Sequence, residues 1–177
     1  MRMPLRIAVV GAECTGKSTL CESLAASLGA LWVPEYLRAW CDREARTPAR
    51  HEQAGIVDEQ VRLEEAALRA ATERGIGWVL CDSAPIVTAL YSAHFFGDES
   101  LLSNARRHHA SYALTVITSA VDVPWEADGI QRDGPHVRAL FDGMLRDWLS
   151  AAPWPRVDAK GSLEARTSEV GRAIALQ

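Results

Sequence analysis

The stretch GAECTGKST, Gly11 to Thr19, constrains this chain more than any other. Its spacing is G-x-x-x-x-G-K-[ST], with Gly11, Gly16, Lys17 and Ser18 at the defining positions. Small residues let successive backbone N–H groups turn inward around an anion, and a following helix presents its positive end to the same anion. The turn needs a buried strand before it and a helix after it. The run LRIAVV (5–10) and a helical stretch to about Leu28 supply both. The expected ligand is the phosphate chain of ATP. Lys17 would reach the outer phosphates, Ser18 would hold Mg²⁺, and Glu13, Cys14, Thr15 and Thr19 would complete the cradle.

The remaining apolar runs extend this strand–loop–helix unit. LWVP (31–34), WVLCD (78–82), YALTVIT (112–118) and RVDA (156–159) read as further strands. Between the second and third, a long helix is expected from about His51 to Arg74, because Ala54, Val57, Val61, Leu68 and Ala71 fall near one face. Apolar strands separated by helices imply an α/β fold, a five-stranded parallel sheet with helices on both faces. At 177 residues the chain is expected to form one domain, 1–177. Ligands of such sheets gather at the carboxyl ends of the strands, so the loops after Val10, Pro34, Cys81, Thr118 and Ala159 are the ones to inspect.

Composition excludes little and excludes it cheaply. A net charge of −4 gives no electrostatic case for nucleic acid. No apolar run approaches the roughly 18 residues of a membrane span, and the N-terminus turns polar too early for a signal peptide. Cys14, Cys21, Cys41 and Cys81 have no C-x-x-C spacing, so reduced thiols in a cytoplasmic protein are expected.

Three groups of residues stand at the inspected loops. Asp82 ends the third strand, where an acid near Mg²⁺ is needed, a reading its strand-end position favours over a cap for the next helix. Glu35, Tyr36 and Arg38 follow the second strand. Glu35 is placed to accept a hydroxyl proton or hold sugar hydroxyls and Arg38 to neutralise phosphate charge, although a surface ion pair fits the same letters. After the fourth strand, SAVDVPWEADGIQRDGPHVRALF carries Trp125 and Asp128 together with Arg132 and Arg138. A tryptophan among polar groups suits stacking on a flat ring, and arginines on such a connection suit a short lid segment. Plugging the sheet edge is the other reading of Trp125.

At these residues the chain resembles the ribosylnicotinamide kinase domain of NadR-type proteins. The resemblance rests on GAECTGKST, EYLR, CDS, PWEADG with its downstream arginines, and the late GSLEAR, in order along nearly the whole chain. It implies a P-loop NTPase of nucleoside and nucleotide kinase type, which transfers the γ-phosphate of ATP to the 5′-hydroxyl of nicotinamide riboside. The resemblance further implies that Lys17, Glu35, Asp82, Arg132 and Arg138 carry the reaction. Trp125 and Trp154 would sandwich the nicotinamide ring, Asp128 would bind substrate, and Gly161 and Arg166 would meet adenine. The chain departs from the family in CDS for the expected DT, and in an arginine displaced by one place at Gln131–Arg132. Family members often carry an adenylyltransferase domain on the N-terminal side, and this chain is expected to lack that activity.

The partner expected is a small molecule, with no nucleic acid and no membrane; the sequence is compatible with a homo-oligomer. ARRHH (105–109) reads as a solvated helix face and Gln60 as a polar residue on the outside of the long helix. His94 and His136 have no metal-ligand spacing. A kinase for another nucleoside or small molecule, and an ATP-binding regulator with negligible transfer, remain open alternatives.

Overall fold

In the computed structural model, residues 3–121, 123–126 and 134–177 are described. The strands are β1 (Leu5–Val10), β2 (Leu31–Val33), β3 (Trp78–Asp82), β4 (Tyr112–Thr118) and β5 (Arg156–Ala159). They form one sheet in the order β2-β3-β1-β4-β5, with every neighbouring pair parallel. The helices are α1 (Lys17–Leu28), α2 (Tyr36–Glu44), α3 (Gln53–Arg74), α4 (Pro85–Phe96), α5 (Leu102–His109), α6 (Pro135–Ser150) and α7 (Leu163–Ala175).

β1 is central and is covered on both sides, which is why it reads as an unbroken apolar run. Its Ile7 and Val9 pack with Leu20 and Leu24 of α1 and Val170 and Ile174 of α7. Its Ala8 and Val10 face the other way, toward Ile86 and Leu90 of α4 and Phe141 and Leu145 of α6. The alternation slips once. The register between β1 and β4 shifts after Arg6, which pairs with Tyr112 while Ile7 pairs with Leu114. Tyr112 consequently joins the α4 side and Leu114 the α1 side.

The long helix begins later than its periodicity suggests. A 3₁₀ turn at Arg50–Glu52 precedes it, closed by the Glu52 carboxylate, which accepts from the Ala49 amide at 2.8 Å and from Arg46 at 2.7 and 2.8 Å. Its buried stripe is Gln53, Ile56, Val57, Gln60, Glu64 and Ala71, whereas Ala54 is exposed. Gln60 is therefore not on the outer face.

The ARRHH stretch also departs from expectation, because Ala105 and His109 are buried. His109 Nε2 lies 3.0 Å from Thr115 Oγ1, and burial, with His108 nearby, pushes its imidazole pKa down to about 4. Among the described residues, no helix is long and apolar enough to cross a membrane. None of the four cysteines is in a disulfide.

Candidate active site

The phosphate loop runs from the end of β1 into α1 and is held from three sides. Gly11 passes so close to β4 that a Cβ there would lie 2.1 Å from Thr118 Oγ1, so no larger residue fits without moving the strand end. Thr15 Oγ1 donates to the Ala12 carbonyl at 2.8 Å and meets Thr118 Oγ1 at 2.6 Å. Gly16 adopts φ +79, and Cys14 takes a left-handed φ of 52. Lys17 Nζ donates to the carbonyls of Gly11 and Ala12 at 3.2 and 3.0 Å, which folds its ammonium back over the loop. Thr19 is exposed on the first turn of α1.

Arg166, expected beside an adenine, has a different attachment. It is 4 % exposed; its Nη1 donates to the Thr15 carbonyl and its Nε to that of Gly161, both at 2.8 Å. It ties the β5–α7 turn to the phosphate loop, which makes it a support for the loop.

Asp82 closes β3 and is 1 % exposed. It does not cap α4: the cap position is Ala84, without a side-chain hydrogen bond, and Pro85 opens the helix. Burial raises its carboxyl pKa above the ordinary range, against the opposing pull of Lys17, the Ser18 hydroxyl and Arg38. Its Oδ1 is buried with no hydrogen-bond partner among the described residues. An orphaned carboxylate oxygen beside a serine hydroxyl fits the single-carboxylate, water-rich coordination that Mg²⁺ adopts with phosphates.

Glu35 immediately precedes α2 without using its side chain as a cap. Its carboxyl pKa is also raised, first by burial and then by Asp82, while Lys17, Arg38 and Ser83 act the other way. Two carboxylates and two cations thus share one electrostatic neighbourhood.

A cavity of about 290 Å³ joins these groups. Gly11, Glu13 and Lys17 line its phosphate end, and Glu35 and Arg38 line the adjoining wall. Tyr91, Phe95 and Phe96 of α4 add an aromatic wall. Tyr91 stacks on Phe141 at 4.1 Å and on Phe95 at 5.6 Å between centroids. Phe95 remains 46 % exposed, unusually open for a phenylalanine. This aromatic wall was not foreseen. Its sequence signal is slight: Tyr91 and Phe95 lie four residues apart on an otherwise apolar helix, and nothing local marks the pair as ligand-facing.

Trp125 lies beside the phosphate loop. Its Nε1–H donates to Glu13 Oε1 at 3.0 Å, and Cys14 Sγ is 3.4 Å from the Pro124 carbonyl. The Trp125 segment therefore leans on the phosphate loop, next to the cavity's Glu13. Asp128 and Arg132 lie outside the described residues.

Three other expectations need correction. Trp154 precedes β5, at the amino end of a parallel sheet whose carboxyl end carries the phosphate loop. It stacks on Trp148 at 4.6 Å beneath the Arg106 guanidinium, so it cannot close a sandwich with Trp125. Arg138 is 5 % exposed and donates to the carbonyls of Ala120 and Val123, both at 2.7 Å, fastening the base of the Trp125 segment where a lid arginine was expected. Tyr36 is absent from the cavity wall; its ring packs against the Trp40, Cys41 and Ile56 cluster.

The Tyr36 backbone has a role of its own. Its amide donates to Gln60 Oε1 at 2.9 Å, and Gln60 Nε2 donates to Glu64 Oε1 at 3.2 Å. Glu64, fully buried, also accepts from the Tyr112 hydroxyl at 2.7 Å and lies 2.7 Å from His108 Nε2. Every group facing Glu64 can donate, so the carboxylate dictates which end of the Gln60 amide faces Tyr36. The start of α2, which carries Glu35 and Arg38, is thereby fixed from inside α3.

A phosphate loop after β1, an acid after β3 and the order β2-β3-β1-β4-β5 define a P-loop nucleotide-binding protein. A family profile described as an AAA domain matches residues 6–166, and the chain belongs to that family. No curated protein sequence matches. Among solved structures, NadR in complex with NAD and AMP-PNP superposes with a TM-score of 0.80 at 20% identity, covering 98% of this chain and 49% of that one. NadR in complex with NR gives 0.72 at 20% identity, covering 96% and 52%. The chain thus spans about half the length of those NadR chains. Deoxyadenosine kinase from M. mycoides gives 0.58 at 9% identity, covering 98% of this chain and all of that one.

Proposed function

We propose that residues 1–177 act as one P-loop kinase unit that transfers the γ-phosphoryl group of ATP to the 5′-hydroxyl of nicotinamide riboside, yielding the mononucleotide and ADP. The observation that carries this reading is the cavity joining Lys17 and Glu35 to an aromatic wall on α4. A flat cationic ring favours aromatic faces, and the carboxylates of Glu35 and Asp82 add attraction at the reacting end.

In the reaction the riboside hydroxyl forms a bond to Pγ, the bond from Pγ to the β-phosphate oxygen breaks, and ADP departs with that electron pair. The hydroxyl proton passes to a carboxylate, for which Glu35 lines the cavity and Asp82 stands beside Ser18. Lys17 and Arg38 offset the charge on the transferring group. Ser18 and Asp82 would hold Mg²⁺, which neutralises phosphate charge when bound. Cysteines that form no disulfide are in keeping with a reducing, cytoplasmic setting.

The test is turnover of a nucleoside panel by purified protein with ATP and Mg²⁺. Nicotinamide riboside should give the highest kcat/KM, read as mononucleotide formed; no mononucleotide from it would end this reading. Another flat-ringed nucleoside as preferred acceptor is the second reading, favoured by the openness of Phe95 and Phe96, which place no polar group of their own against a ring.

A further inference from the structure

The cavity contains one carboxamide whose orientation is settled by its surroundings. Gln53, the first residue of α3, is 5 % exposed and lines the cavity. Its Nε2 donates to the Pro48 carbonyl at 2.9 Å. A carbonyl can only accept, so nitrogen must face Pro48 and the amide cannot be turned over. Oε1 is then the atom left over. It has no hydrogen-bond partner among the described residues and is not one of the side-chain oxygens sealed from solvent. A nearly buried acceptor on a cavity wall favours a donor and disfavours another acceptor.

We propose that Gln53 is a specificity-determining residue that selects acceptors carrying a hydrogen-bond donor on the ring, and in particular a carboxamide over a carboxylate. This rests on the riboside kinase reading above and deepens it. A carboxamide brings an N–H to Oε1. A carboxylate at the same place brings only lone pairs and a negative charge, which that oxygen repels. Sites built to hydrogen-bond a substrate group reject analogues lacking it far better than apolar walls reject a change of size.

The experiment compares kcat/KM for nicotinamide riboside and nicotinic acid riboside, two acceptors that differ only in that group. The wild-type protein should prefer the amide by at least about tenfold. Gln53→Met keeps the length of the side chain and removes the acceptor. It should shrink the preference to about threefold or less, mainly through loss of amide turnover, with the KM for ATP unchanged. Equal turnover of both ribosides by the wild type overturns the proposal while leaving the kinase reading intact. So does a Gln53→Met protein that retains the full preference. If neither riboside is turned over, the functional reading falls and this one falls with it. Equal wild-type turnover of the two ribosides overturns the proposal even where the variant folds poorly.

Discussion

Asp82 shows most plainly how a single residue can work against the fold that holds it. A carboxyl group with a raised pKa in the folded chain binds its proton more tightly there than when unfolded. Stability therefore falls as pH rises from the unfolded value through the folded one, and at neutral pH the ionised group is a net cost. Burial is the leading cause at Asp82. Asp82→Asn should accordingly raise the melting temperature at pH 7 while lowering kcat by about a hundredfold or more. Thermal denaturation beside steady-state kinetics checks both. A variant that loses stability together with activity would show that Asp82 is structural. Glu35 shifts in the same direction. The acid limb of the wild-type pH–rate profile should therefore lie above the ordinary carboxylate range, since one of these groups must be unprotonated to take the hydroxyl proton.

At the scale of elements, the placement of α2 depends on α3. Gln60→Leu leaves the Tyr36 amide without its acceptor and Glu64 short of a donor. The expected loss is about 1–3 kcal/mol of stability, read from denaturant melts. The kinetic signature is a lower kcat with the KM for ATP held, because the phosphate loop is anchored elsewhere, by Thr118 and Arg166. Equal damage to kcat and to ATP binding would argue for general loosening.

The elements themselves were largely legible. β1, β3 and β4 have the limits their apolar runs suggest, because strands buried on both faces admit few polar interruptions, and the partly buried edge strand β5 also has its expected limits. β2 stops one residue early, before Pro34, which has no N–H for a ladder. The buried polar stripe of α3 was not legible. Gln60 reads as a surface residue until the Tyr36 amide and Glu64, itself bound to the Tyr112 hydroxyl, are brought to it. Arg138 and Trp154 failed for a related reason. Their residue types suit a ligand, but their chain positions place one under a loop and the other at the wrong end of the sheet.

For the whole molecule, strand order and loop placement gather distant segments at one rim. The phosphate loop follows β1, Glu35 follows β2, Asp82 ends β3, and the Trp125 segment follows β4 and leans on Glu13. The motif spacing disclosed the phosphate end of this site and the strand-end acids. The aromatic wall of α4 became visible only once the fold brought Tyr91 and Phe95 to the cavity that Glu35 and Arg38 line. In the proposed reaction one cavity holds an acceptor ring at α4 and its hydroxyl at the phosphate loop. A crystal structure with AMP-PNP and nicotinamide riboside tests this most directly. It should show the ring against Tyr91 and Phe95, the 5′-oxygen within hydrogen-bond reach of Glu35 or Asp82, and the γ-phosphate on Lys17. A riboside bound outside this cavity, with its 5′-oxygen turned away from the phosphate loop, would contradict it.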